Sequence, residues 1–336
     1  TQGGWVDTGC PDTNGSTNTT NSNNNTNGGG TNNNNNNNTN EEDVVIIPLD
    51  DYINNIDNCI NGPVAFGETD NTTININLLY SLTGKQILSI NNYLQLNGCS
   101  EQTQEFVIKL IESYHLVQEM DKKCQAEKVV SFTTRTDSPI VNIITNTFFG
   151  NNTYNLQFED VNIDSEFDAN AATKPPLGMV FNQNTYAAIQ FDNSYLESAT
   201  DLSVVMTTAH EYVHVFLIYL YSTGDLLNYN PNYTDLNTAF QDFENNPTND
   251  SSGLLEAAMH DVYDDFLDWI RQSVYTYAIN NSIEDASESY CNKLVIGAHQ
   301  YTATFQALTP TQQTEYSTIV SDEEHGNEQA KGSTCD

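Results

Sequence analysis

The chain has 336 residues, enough for one core of moderate size with appendages but not for several large domains. Ten Lys plus Arg against 45 Asp plus Glu leave a formal charge of −35, which argues against nucleic acid and anionic membrane surfaces as partners, since both need cations to neutralise phosphate. No apolar run is long enough to span a bilayer, and the polar start Thr1-Gln2-Gly3-Gly4 is expected of a mature chain whose leader has been removed.

Residues 1–42 read as a low-complexity leader, almost wholly Asn, Thr, Gly and Ser over 13–40. Such a stretch cannot bury apolar surface against the entropy of ordering, so a flexible tether is expected, able to join the chain to a larger extracellular assembly. Asn-x-Ser/Thr sites at Asn14, Asn18 and Asn24 carry glycans only in a host with that machinery. The run Val44-Val-Ile-Ile-Pro48 predicts a short edge strand. A mainly helical subdomain is expected over 43–135. There Ile87, Leu88, Ile90, Leu94 and Leu96 recur at helical spacing up to Asn97-Gly98. Ser100 then caps a second helix with Phe106, Val107, Leu110, Ile111, Tyr114, Val117 and Met120 on its buried face. His115 lies one residue off that stripe and reads as a surface histidine.

Residues 136–310 carry the chemistry. Four strands are predicted first, over 140–149, 154–158, 179–181 and 187–191, separated by Gly150-Asn-Asn and Lys174-Pro-Pro-Leu-Gly178. The last of them is expected to run along a cleft and to pair with an extended peptide. A helix follows, capped by Thr200 or Asp201, with Leu202, Val205, Met206, Ala209, Val213 and Phe216 at helical spacing. Within it lies His210-Glu211-Tyr212-Val213-His214. Histidines four apart share one helix face and can hold one Zn²⁺, with Glu211 beside them to take a proton from water. This H-E-x-x-H arrangement offers two ligands, a general base and an open position for peptide-bond hydrolysis.

Zinc needs a third protein ligand. Residues 251–270 predict a second helix with Leu255, Met259, Val262, Phe266, Trp269 and Ile270 as its apolar stripe. Glu256, His260 and Asp264 follow at intervals of four on one face. His260 is the expected third ligand and Glu256 the runner-up, while Tyr263 is the candidate oxyanion donor. The longer continuation H-E-x-x-H-x-x-G-x-x-H is absent, because Leu217 and Tyr221 stand at its Gly and His positions. Residues 222–250 predict a loop long enough to wall or cover a cleft. Residues 287–305 are again helical, Thr309-Pro310 opens a last helix, and 311–336 reads as that helix with a loose polar tail. His299 and His325 have no partner pattern.

Six cysteines, Cys10, Cys59, Cys99, Cys124, Cys291 and Cys335, form no C-x-x-C pair. An even, scattered set fits disulfides in an oxidising compartment and hence an extracellular or cell-surface location, with Cys291 expected among the cross-linked residues. Cys99 and Cys124 would bracket one helix whose ends lie too far apart to bond, so each is expected to pair elsewhere.

The stretch from Asn193 to His214, with the later Met259-His260 and its acidic neighbours, resembles the SprT-like zinc metallopeptidases, closest to secreted or surface-associated sets of Bacteroidetes-type bacteria. The resemblance covers about 140–305, and only the two helices are specific. It implies an α+β zincin-like domain and a third zinc ligand that is a histidine well after the motif, which suits His260. Residues 222–250 match nothing in that pattern. The expected function is a zinc-dependent peptidase acting on a protein or peptide substrate. The alternatives are a non-catalytic assembly protein on the same fold, which a fourth protein ligand closing the site would favour, or a zinc-protease toxin or effector domain.

Overall fold

The computed structural model describes residues 49–62, 76–149, 154–163, 169–182, 185–247 and 249–335. The leader, Cys10 and the expected strand at 44–48 lie outside the described residues. The chain is α+β and mostly helical. Six helices come first: α1 (Leu49–Ile60), α2 (Ile76–Ser81), α3 (Gly84–Asn97), α4 (Glu101–Leu116), α5 (Lys123–Arg135) and α6 (Pro139–Phe148). A small sheet follows, of β1 (Asn155–Val161), β2 (Ala171–Lys174) and β3 (Tyr186–Asp192). Then come α7 (Asn193–Ser198), α8 (Asp201–Ser222), α9 (Leu226–Tyr229), α10 (Thr234–Asn245), α11 (Asn249–His260), α12 (Leu267–Asn280), α13 (Glu288–Ala298), α14 (Ala303–Gln306) and α15 (Pro310–Glu324).

Local chemistry explains the boundaries. Thr83 and Gln86 form a capping box at the start of α3, and the Ser100 hydroxyl accepts from Thr103 N at the start of α4. Thr309 and Gln312 repeat the box at α15, with Pro310 in the first turn, as the Thr-Pro step predicts. His115 is exposed, as expected.

Several expectations fail for identifiable reasons. Residues 140–149 form helix rather than strand. Ser138 caps it, Pro139 fits its first turn, and Ile140, Val141, Ile144, Thr145 and Phe148 bury one helical face, which outweighs their β-branched composition. Residues 179–181 are not a strand, since a 3₁₀ turn spans Leu177–Met179. A strand does form at 171–174, and it is one of the two edges of the sheet. The order is β1-β3-β2, with β1 parallel and β2 antiparallel to the central β3. The cleft-side edge is therefore β2 and not the last strand. Residues 222–250 fold largely into α9 and α10, which bury Leu226, Leu236 and Phe240.

The expected single helix over 251–270 breaks after His260 into a 3₁₀ turn, Tyr263–Asp265, before α12. Asp264 leaves the shared face. Its carboxylate accepts from Ala303 N at 2.7 Å, Thr304 N at 3.2 Å and the Thr304 hydroxyl at 2.6 Å, tying this turn to α14. The helix expected over 287–305 likewise breaks, at His299.

Helix α8 is the interior element. Eighteen of its 22 residues are buried, so it presents no solvated stripe and its polar side chains must find partners inside. They do. Ser203 and Thr207 each lie 2.9 Å from the Tyr195 hydroxyl, Thr208 donates to Val204 O, and the Tyr212 hydroxyl meets Thr133 of α5 at 2.7 Å. Phe132 stacks on Tyr212 from α5, and Phe158 of β1 meets the same ring edge-on.

Cys59 bonds Cys99 and Cys124 bonds Cys335, so Cys99 and Cys124 do pair elsewhere. Among the described residues Cys291 bonds no other cysteine, contrary to expectation; its buried thiol sits at the base of α13 against Ala286 O, with burial pushing it up to about 12. The tail is not loose. Lys331 N donates to Glu323 at 2.7 Å, Ser333 N donates to Asp201 at 2.9 Å, and the Cys124 bond fixes its end. No helix among the described residues is long and apolar enough to cross a membrane.

Candidate metal centre

A regular α8 places His210 and His214 one turn apart, and their Nε2 atoms lie 3.1 Å from each other. The last residue of α11, His260, enters from across the cleft. One nitrogen from each of the three rings falls within 4.8 Å of the others, and this group could hold a metal ion. Glu256, one turn earlier on α11, is exposed and outside that group.

The hydrogen bonds around the rings decide which nitrogens are bare. His299, at the C-terminus of α13 and fully buried, has Nδ1 2.6 Å from Val295 O. A carbonyl only accepts, so Nδ1 carries the proton and Nε2 of this neutral ring has a lone pair. That Nε2 lies 2.9 Å from His210 Nδ1, which must then be the donor. His210 Nε2 is left unprotonated toward the group. His214 Nδ1 lies 3.3 Å from the Met259 sulfur, a weak acceptor, and its Nε2 lies 3.1 Å from the bare His210 Nε2, so either nitrogen can carry its proton. His260 Nε2 is buried without a partner.

One nitrogen of each ring thus lies close enough to the others to turn its lone pair on a single cation, with His210 Nε2 already bare. Burial, and then the charges of the neighbouring imidazoles, holds His210 and His214 well below the ordinary histidine range; burial brings His260 and His299 to about 4. All four rings are therefore neutral at pH 7, the form that ligates. The residues present fit a metal.

Glu211 is buried beside them. Its Oε2 accepts from the Thr173 hydroxyl of β2 at 2.7 Å, while Oε1 lies 3.9 Å from His210 Nε2. One oxygen is held by the sheet edge and the other faces the imidazoles. Burial raises this carboxyl to about 8, offset in part by Thr173 and reinforced by the charge of Glu256. A cation at the histidines would reverse the shift, because opposite charge favours the ionised form.

Tyr263 is not where an oxyanion donor belongs. It is fully buried and its hydroxyl donates to the backbone carbonyl of His210 at 2.8 Å. Its ring lies 4.6 Å from that of His210 and 5.2 Å from that of His214, so it forms the floor of the site. The break after His260 is what lets it turn inward. Tyr301, in the turn between α13 and α14, stands at the mouth instead. Its ring stacks on His260 at 4.2 Å and 11°, the residue is 42% exposed, and burial of its hydroxyl, followed by the charges of Glu211 and Glu256, pushes that hydroxyl above its ordinary range.

His299 and Tyr301 carry no sequence signal tying them to a site 89 residues earlier. The one available hint is scarcity: four of the chain's six histidines meet here. Compared with family models, curated proteins and solved structures, the chain matches none.

Proposed function

We propose that the protein is a zinc-dependent peptidase, with His210, His214 and His260 as metal ligands and Glu211 as general base. One observation carries the reading. One nitrogen from each of three imidazoles converges within 4.8 Å beside the buried Glu211 carboxyl, and no fourth His, Cys, Asp or Glu among the described residues joins them. A three-nitrogen set with an open position suits zinc in a catalytic role, whereas a structural site would be closed by a fourth ligand. That same feature disfavours a non-catalytic assembly protein. The SprT-like resemblance carries the same ligand set.

Bound there, zinc supplies a Lewis acid that acidifies water and polarises a carbonyl. The protein's own groups do the rest. Glu211 Oε1, fixed by the Thr173 bond to its other oxygen, takes a proton from the attacking water and passes it to the leaving amine. The Tyr301 hydroxyl, at the mouth over His260, donates to the oxygen on which charge develops. Among the described residues β2 pairs only with β3, so its outer edge can take an extended peptide as an added strand. Two disulfides fit an oxidising compartment, and with them an extracellular site of action.

The test is the Glu211→Gln protein. It should keep about one zinc per chain and lose peptide hydrolysis by roughly two to four orders of magnitude. Hydrolysis surviving that substitution, or surviving complete removal of metal, would overturn the reading.

A further inference from the structure

His299 is the one histidine of the cluster that offers no nitrogen to the metal group, yet it is as buried as any of them. Both of its nitrogens are committed. Nδ1 donates to Val295 O within its own helix, and Nε2 accepts from His210 Nδ1. The chain Val295 carbonyl to His299 to His210 has a single consistent proton assignment, because its first acceptor cannot donate. That assignment is transmitted one ring further and ends on a bare Nε2 at His210.

We infer that His299 is a positioning residue, which fixes the tautomer and ring angle of His210 so that its Nε2 lone pair is presented to the metal. The inference rests on the metal-site reading for its consequence and on the hydrogen-bond chain for its cause. The support is rigid. Thr302 donates its hydroxyl to His299 O at 2.6 Å, and Asp264 pins the following helix start through Ala303 and Thr304. The contrast with His214 is informative. Its Nδ1 has only a thioether for a partner, a weaker acceptor, so His210 is the ligand whose orientation is more strongly imposed. Ligand-orienting partners of this kind typically account for ten- to a hundredfold in metal affinity.

Two variants separate this role from packing. His299→Leu keeps volume and removes the acceptor, whereas His299→Gln keeps an amide oxygen able to accept from His210 Nδ1. Zinc affinity is measured by competition with a chelator, and the His210 tautomer is read by ¹⁵N-edited NMR on the chelator-treated protein. His210 should be protonated at Nδ1 in the wild type and in His299→Gln, with zinc affinity of the Gln form within a few-fold of wild type. His299→Leu should lose the tautomer preference and bind zinc about ten- to a hundredfold more weakly. A wild-type His210 protonated at Nε2 would overturn the inference, as would a Leu form that binds like wild type or a Gln form as impaired as Leu. Should the Leu form not fold, the wild-type tautomer and the Gln affinity still decide the matter. A wild type that binds no zinc would instead defeat the metal-site reading, leaving the tautomer measurement to judge His299 separately.

Discussion

Two tyrosines within reach of the same imidazoles do different work because of what their hydroxyls touch. Tyr263 is fully buried and its hydroxyl adds a second hydrogen bond to the His210 carbonyl, which keeps its helical partner when that hydroxyl is removed. Losing that one bond costs about 0.5–1.5 kcal/mol of stability. Tyr301 sits at the mouth, and no hydrogen bond to its hydroxyl occurs among the described contacts of the cluster. Tyr263→Phe should therefore lower the melting temperature of the metal-free protein while Tyr301→Phe leaves it nearly unchanged. In peptide hydrolysis the order inverts, with Tyr301→Phe losing roughly two to three orders of magnitude in kcat, the usual effect of deleting one oxyanion donor. Equal kcat in Tyr301→Phe and wild type would remove that residue from the mechanism.

Among the elements, those that could be read in advance were those whose signal is local. The caps of α4 and α15 and the i, i+4 histidines of α8 depend on residues within one turn of each other, and they fold as their sequence predicts. What could not be read is set by distant partners. The turn after His260 is held by Asp264 accepting from Ala303 N and Thr304 N, about forty residues on, and β2 pairs along the edge of β3. For 140–149 the deciding signal is local too, since the Ser138-Pro139 helix start outweighs the β-branched composition that predicts a strand. The wall carrying His299 and Tyr301 depends on a helix contact that also left no signal. Gly297 lets α13 approach α15 so closely that a Cβ there would lie 2.6 Å from Tyr316 O, 2.8 Å from its carbonyl carbon and 2.9 Å from Val320 Cγ2. Two of these atoms are backbone and cannot rotate away. Gly297→Ala should accordingly destabilise the protein by about 1–3 kcal/mol, as overpacking does, despite the better helix propensity of alanine. Because His299 is two residues on, zinc affinity should fall with it. A stability equal to or above wild type in chemical denaturation would show that the helices are less tightly set.

At the scale of the whole molecule, the C-terminal segment fastens the start of the helix that carries the histidines. Glu323 is fully buried and accepts from the Thr200 and Tyr290 hydroxyls and from Lys331 N, while Asp201 N donates to Ser333 O at 2.9 Å. Thr200 is also the N-cap of α8, so one residue joins the helix start to the tail. The Cys124–Cys335 bond then closes a span of 211 residues from α5 to the chain's end, whereas Cys59–Cys99 closes 40. If the bonds act chiefly by limiting the unfolded chain, the longer closure stabilises more, by about 1.5 kcal/mol from the logarithm of the two spans. Its loss also frees the tail from the α8 N-terminus, adding to that difference. Replacing both cysteines of each pair by serine and comparing denaturant midpoints gives the measurement. The Cys124→Ser, Cys335→Ser protein should be the less stable of the two, with zinc affinity reduced as α8 frays from its capped end. A smaller loss from opening the 211-residue span than from opening the 40-residue one would mean that the tail contributes little to holding the histidine helix in place.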